Sequence, residues 1–212
     1  MTGVFRGSVT FGGSYLNSEG SDVFVASLTS SGAHRWSTAG GGSSDDSSSG
    51  VALDDAGNVY VTGTVDAAAS FGGAVLEPAG AADIFLASYD ASGGHRWSRL
   101  AGGPNVDSGS GIAASPSGDV YSTGYAEPGP DFGGGGLDTD VPVAFVAAHQ
   151  SMDGTHRSSF GIGGPEGGVQ GQSVVVGGGR VCIGGSINGS VSIGEVTLIS
   201  IDTDAFIACF EP

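Results

Sequence analysis

The sequence predicts an all-β fold: a β-propeller-like array of four-stranded antiparallel blades, forming an open or partial propeller rather than a closed ring. Three observations carry this expectation. Markers recur about every 61 residues, at His34-Arg35-Trp36, His95-Arg96-Trp97 and His156-Arg157-Ser158, and at Phe11-Gly12-Gly13, Phe71-Gly72-Gly73 and Phe132-Gly133-Gly134. Within a period, short runs rich in β-branched and aromatic residues alternate with turn signals, as in an antiparallel meander. The 42 glycines of the 212 residues fall at fixed offsets beside Val, Ile, Phe and Tyr, which marks turns and bulges rather than disorder.

The period from Gly50 to Gly102 reads as one blade. Its first run, Gly50-Val51-Ala52-Leu53-Asp54, turns through Asp55-Ala56-Gly57 into Asn58-Val59-Tyr60-Val61-Thr62-Gly63. An acidic or polar residue followed by Gly suits a type I turn with a bulge, because Gly accepts the positive φ required there. Ser115-Pro116-Ser117-Gly118 repeats the device. The third run, Asp83 to Tyr89, returns through Asp90-Ala91-Ser92-Gly93 into the fourth, His95-Arg96-Trp97-Ser98. Small residues in the first run suit the strand nearest a crowded axis, which leaves the fourth at the rim. Alternation puts His95 and Trp97 on one face of that strand and Arg96 on the other, where an outward Arg hinders edge-to-edge pairing.

Counting runs divides the chain into a partial blade over 1–49, blades over 50–110 and 111–170, and a partial blade over 171–212. The first lacks its inner strand and the last its outer one. Propellers close with four to eight blades, so the expectation is an open arc, cut from a longer protein or completed by other copies. Met1-Thr2-Gly3 aligns with Val61-Thr62-Gly63, inside a strand. This start suggests a fragment or an internal start codon.

The residues resemble the seven-bladed β-propeller repeats abbreviated SBBP, found in many secreted and cell-surface bacterial proteins. The resemblance rests on Asp22 to Leu28, Gly32, Trp36, Gly41-Gly42, Asp46, and Gly50 to Asp54 running into Gly57 to Gly63. The third copy departs from it, with Val143 for the leading Asp, Ser158 for the Trp and Gly168 for the loop Asp. The resemblance implies the fold and no catalytic residues. The segments from Ala26 to Trp36 and from Ala87 to Trp97 also look like the docking pattern of quinoprotein propellers, which implies that Trp36 and Trp97 wedge between adjacent blades. It does not imply a quinone.

Composition excludes several functions. The six basic residues are all Arg and the net charge is -16, so the basic footprint needed for nucleic acid is absent. Anionic membranes would repel such a chain, and no stretch is apolar enough to span a bilayer. Without lysine, Schiff-base chemistry and the P-loop lysine are impossible. The run Gly133 to Gly136 has no following helix to cradle phosphate.

Among candidate imidazoles, His34, His95 and His156 are copies of one rim position, and His149 stands apart. That repetition favours a structural role, and no G-x-S-x-G elbow is present. Candidate hard-cation ligands are Asp45-Asp46, Asp54-Asp55, Asp138-Thr139-Asp140 and Asp202-Thr203-Asp204, none in a calcium-loop pattern. The last two groups precede a third strand and suit Asx turns. Asp46 and Asp107 occupy equivalent loops between blades, where they suit bonds to loop backbone. No catalytic, cofactor-binding or metal-binding residue is therefore assigned. Cys182 and Cys209 fall on neighbouring strands of the last repeat, as a cross-strand disulfide or as two buried thiols; a disulfide would support an oxidising compartment.

The function expected is that of a non-enzymatic interaction or structural module of an extracytoplasmic bacterial protein, binding a protein or glycan through loops at one end of the blades. No nucleic acid, membrane insertion or cofactor is expected, and self-association would complete the ring. The alternatives are part of a propeller enzyme, lyase or quinoprotein-like, with its site at the central axis, or a gene fragment without independent function. An axial site needs titratable residues on the inner strands, which offer mainly Val, Ala, Leu, Ile and Gly.

Overall fold

A computed structural model describes residues 1–164 and 167–211 and contains strands, turns and loops only. In chain order the strands are β1 (Thr2–Val9), β2 (Leu16–Leu28), β3 (His34–Gly42), β4 (Ser47–Leu53), β5 (Val59–Val65), β6 (Ala69–Ser70), β7 (Asp83–Tyr89), β8 (His95–Ala101), β9 (Asp107–Ala114), β10 (Asp119–Ala126), β11 (Val143–Gln150), β12 (His156–Ile162), β13 (Gly168–Gly177), β14 (Arg180–Ile193) and β15 (Val196–Phe210). They form four antiparallel sheets, ordered β1-β2-β3-β6, β4-β5-β7-β8, β9-β10-β11-β12 and β13-β14-β15. The second and third are complete four-stranded blades. Among the described residues the first has no innermost strand and the last no outermost one, and they form an open propeller-like array. The innermost strands start at Ser47, Asp107 and Gly168, a few residues ahead of the boundaries at 50, 111 and 171 taken from the repeat alignment.

The core is divided among the seams between blades. Val23, Val25, Val59, Val61, Phe85 and Tyr89 fill the first seam; Tyr60, Ile84, Leu86, Trp97, Ile112 and Phe145 the second; Tyr121, Val146, Val169, Val174, Ile183 and Phe206 the third. Neighbours on one strand thus serve opposite seams, Tyr60 on one side and Val59 and Val61 on the other, because side chains alternate across a sheet. This explains why the middle strands read as continuous apolar runs: every residue of β7 is buried.

Small inner-strand residues let adjacent blades converge. A Cβ on Gly111 would lie 3.0 Å from the Cα of Ser173 in the next blade. A repeated threonine ties each second strand to the third: Thr2, Thr62 and Thr123 donate to the carbonyls of Phe24, Phe85 and Phe145 at 2.8, 2.9 and 2.7 Å.

Each outer strand carries a bulge in the same place. Ser88 pairs with Trp97 and Tyr89 with His95, so Arg96 is the extra residue, and Arg35 and Arg157 are its counterparts. The bulge breaks the alternation from which an outward Arg96 was expected. Its guanidinium instead donates to the Tyr60 hydroxyl at 3.1 Å and to Ser88 Oγ at 3.0 Å, lying over the Tyr60 ring. Edge protection at this rim therefore comes from the bulge itself.

Candidate functional site

The connections are unequal at the two ends of the blades. One end carries tight hairpins, such as residues 54–58 and 90–94; the other carries the loops over 66–82 and 127–142 and the links between blades. Function on scaffolds of this kind concentrates on long loops, which makes the second end the candidate surface.

At the hairpin end Asp54 organises its turn. One carboxylate oxygen accepts from the backbone N–H groups of Ala56 and Asn58, and the other from the Asn58 amide and the Tyr60 hydroxyl at 2.8 Å. These bonds hold its carboxyl below the usual range despite partial burial. Gly57 supplies the positive φ of 80° that closes the turn. Asp54 is thus structural, and Asp55 is exposed beside it.

At the other end each long loop folds back over its own blade. Phe71 stacks on Phe85 at 4.2 Å, and Phe132 packs tilted against Phe145 at 4.7 Å. The glycines after each Phe leave room for the repeated histidine, since a Cβ on Gly73 would lie 2.5 Å from His95 Cε1. The imidazoles of His34, His95 and His156 each bond a serine hydroxyl through Nε2, at 3.1, 3.2 and 3.1 Å, to Ser37, Ser98 and Ser159. His149 is buried and bonds the Phe132 carbonyl at 3.0 Å, as the Tyr89 hydroxyl bonds the Phe71 carbonyl one blade earlier. Burial depresses the basicity of His95 and His149. All four histidines therefore brace the loops.

A concavity of about 450 Å³ on this end is lined by Leu137, Asp138, Asp140, Val143, Phe160 and Gly164, among others. It brings the exposed Asp138 and Asp140 beside apolar wall residues. Three other aspartates singled out from sequence lie apart from it. Asp45 forms an exposed ion pair with Arg6, and Asp202 and Asp204 lie inside the continuous β15 rather than ahead of it, with Asp204 accepting from Ser200 at 2.7 Å. Among the described residues no three His, Cys, Asp or Glu side chains converge in metal-binding geometry.

Sequence reasoning missed a pairing at the seams. Asp46 and Asp107 do bond loop backbone as expected, accepting from Gly42 N at 2.8 Å and Gly103 N at 2.6 Å. Each is also buried beside a second carboxylate, Asp22 or Asp83, from the third strand of the preceding blade. Desolvation pushes all four carboxyls up, Asp46 to about 6, with the charges of Asp22 and Asp66 adding to its shift. The available signal was that Asp22 recurs at Asp83 with the same spacing that separates Asp46 from Asp107.

The cysteine alternative resolves as a disulfide: Cys182 and Cys209 are directly opposed on β14 and β15 and joined.

Blades stacked in chain order, with inner strands converging and Trp staples across seams, define a propeller-type repeat protein. Two segments, residues 36–66 and 96–126, match the family model of the SBBP β-propeller repeat, and the chain accordingly carries SBBP repeats. Each matched segment runs from the outer strand of one blade into the inner two strands of the next, so the family unit straddles a seam. No curated protein matches the chain.

Proposed function

We propose that the chain is a non-enzymatic interaction or structural module of a secreted or cell-surface bacterial protein, presenting its long-loop end to a protein or glycan. The observation that carries this reading is the concentration of long loops and the 450 Å³ concavity at one end, on a scaffold whose histidines are occupied in bracing. The acidic surface, net charge -16, disfavours nucleic acid and anionic membranes. No helix is long and apolar enough to cross a membrane. The Cys182–Cys209 disulfide supports an oxidising, extracytoplasmic setting.

Self-association would complete the array. Among the described residues β15 carries an unpaired edge, and Ile199, Ile201 and Ile207 on that strand are exposed. Light scattering on the purified chain tests this point: a folded oligomer supports completion by copies, and a folded monomer excludes it.

The binding reading is tested on a glycan array with the wild-type chain and a D138N/D140N variant. A glycan held by the wild type and weakened at least tenfold by the substitutions supports it. Binding that maps to the hairpin end, or turnover of a bound glycan, overturns it.

A further inference from the structure

The paired aspartates of the first two seams form a site that the bracing role of their loops does not explain. Asp22 Oδ1 and Asp46 Oδ2 lie 3.0 and 2.7 Å from the point where a Cβ on Gly41 would sit. Asp83 Oδ1 and Asp107 Oδ2 lie 2.9 and 2.7 Å from the corresponding point beside Gly102. Each glycine therefore leaves a notch into which two carboxylates converge.

The four side chains are all more than nine-tenths buried, with Asp46 2% and Asp107 0% exposed. Asp22 Oδ1 and Asp83 Oδ1, the oxygens aimed into the notches, have no hydrogen-bond partner. Two carboxylates in one dry notch repel each other and lose hydration, so an uncompensated pair is costly. No positive side chain offsets them: the two ion pairs among the described residues are Arg6–Asp45 and Arg157–Asp119. The other charged groups acting on the pairs are acids, Glu19 and Asp66 at the first site and Glu127 at the second.

The third seam serves as an internal control. At the positions of Asp83, Asp107 and Glu127 it carries Val143, Gly168 and Asn188, so the acids disappear together. The notch is filled there, with Val143 Cγ1 3.0 Å from the point where a Cβ on Gly163 would lie. Groups that merely bonded loop backbone could be lost singly. Groups sharing a ligand lose their purpose as a set.

We propose that each of the first two seams binds a hard divalent cation, calcium by preference, held by Asp22 and Asp46 beside Gly41 and by Asp83 and Asp107 beside Gly102. Calcium suits the site because it takes oxygen ligands in flexible geometry and completes its shell with water and carbonyls. With two carboxylates the sites belong to the weak, submillimolar to millimolar class. The ion locks a third strand of one blade to the first strand of the next, so the array stiffens where calcium is abundant.

The test is a calorimetric titration of the full chain with CaCl2 at pH 7.5 after EDTA treatment, beside thermal melts with and without the ion. The expected result is saturable binding of about two ions per chain with a higher melting temperature. D83N is expected to remove one of the two sites and leave the other. D55N, at an exposed acid of the hairpin end, is expected to leave both. Failure of the wild type to bind calcium overturns the proposal irrespective of any variant. So does a chain indifferent to calcium whose melting temperature rises on acidification to pH 5, which would assign each pair to a shared proton. Binding that survives D22N/D46N combined with D83N/D107N would place the ions on the general acidic surface, and would equally overturn it.

Discussion

Trp97, on the outer strand of the second blade, donates its indole N–H to the carbonyl of Ser151 in the third blade at 3.0 Å, and its ring lies against Gly154 of the same hairpin. Trp36 repeats the contact one seam earlier, on the carbonyl of Ala91 and the face of Gly93. The two indoles staple consecutive blades, combining apolar burial with a satisfied donor. Trp97→Ala is expected to destabilise the chain by about 3–5 kcal/mol, and Trp97→Phe by less because it keeps most of the buried area. Urea unfolding followed by circular dichroism checks both. Equal stability of W97A and the wild type would remove the staple from the account.

The third copy has Ser158 in place of the Trp, and among the described residues the last sheet shows no hairpin beyond β15 onto which such a Trp would dock. Phe160 instead meets Phe210 edge-on at 4.8 Å. Introducing Trp by Ser158→Trp is therefore expected to change stability by less than about 0.5 kcal/mol, the range of an ordinary surface substitution. Hydrogen exchange is expected to show weaker protection in β13 and β14 than in β5 and β7. Equal protection would mean that the third seam holds without its staple.

The disulfide closes a loop between residues 27 apart in sequence. Chain-entropy reasoning gives such a link roughly 3.5 kcal/mol. C182S/C209S is expected to lose about that amount, with exchange accelerating first in β14 and β15. The readout is the denaturant midpoint of each protein, oxidised and reduced, and the double variant should be insensitive to reductant.

The Asp22–Asp46 pair gives a pH dependence of definite sign. Asp46 has a carboxyl raised from 3.8 to about 6 in the folded chain. Between these values the folded state holds a proton that the unfolded state releases, so stability falls as the pH rises through about 6. Asp22, Asp83 and Asp107 shift in the same direction. In EDTA, Asp46→Asn is expected to be more stable than the wild type at pH 7.5 and to converge with it near pH 4. Parallel melting curves across that range would show that Asp46 does not carry the effect.

Much of the fold was legible because repeats multiply weak signals. Gly57 and Gly118 mark equivalent turns, and Val59 to Gly63 recurs as a strand at Val120 to Gly124. The staples were legible too, through the resemblance of the segments ending at Trp36 and Trp97 to the quinoprotein docking pattern. Arg96 was misread because the strand was taken as regular. A bulge inserts one residue without altering composition, and its position is fixed by pairing with Ser88 and Tyr89. The equivalence of Tyr89 and His149 was equally hidden, since each bonds the carbonyl of its own loop Phe but they share no residue type.

By itself the sequence determined the blade: which runs are strands, where hairpins turn, and that adjacent faces of each strand must both be buried. Those are local consequences of side-chain alternation and backbone freedom. Only the tertiary structure decided how blades meet. It set the carboxylates of Asp83 and Asp107, separated along the chain, into one dry notch beside Gly102, and joined Cys182 to Cys209 among the alternatives. Such contacts arise between strands whose separation in space has no signature in their own composition, so packing had to supply them.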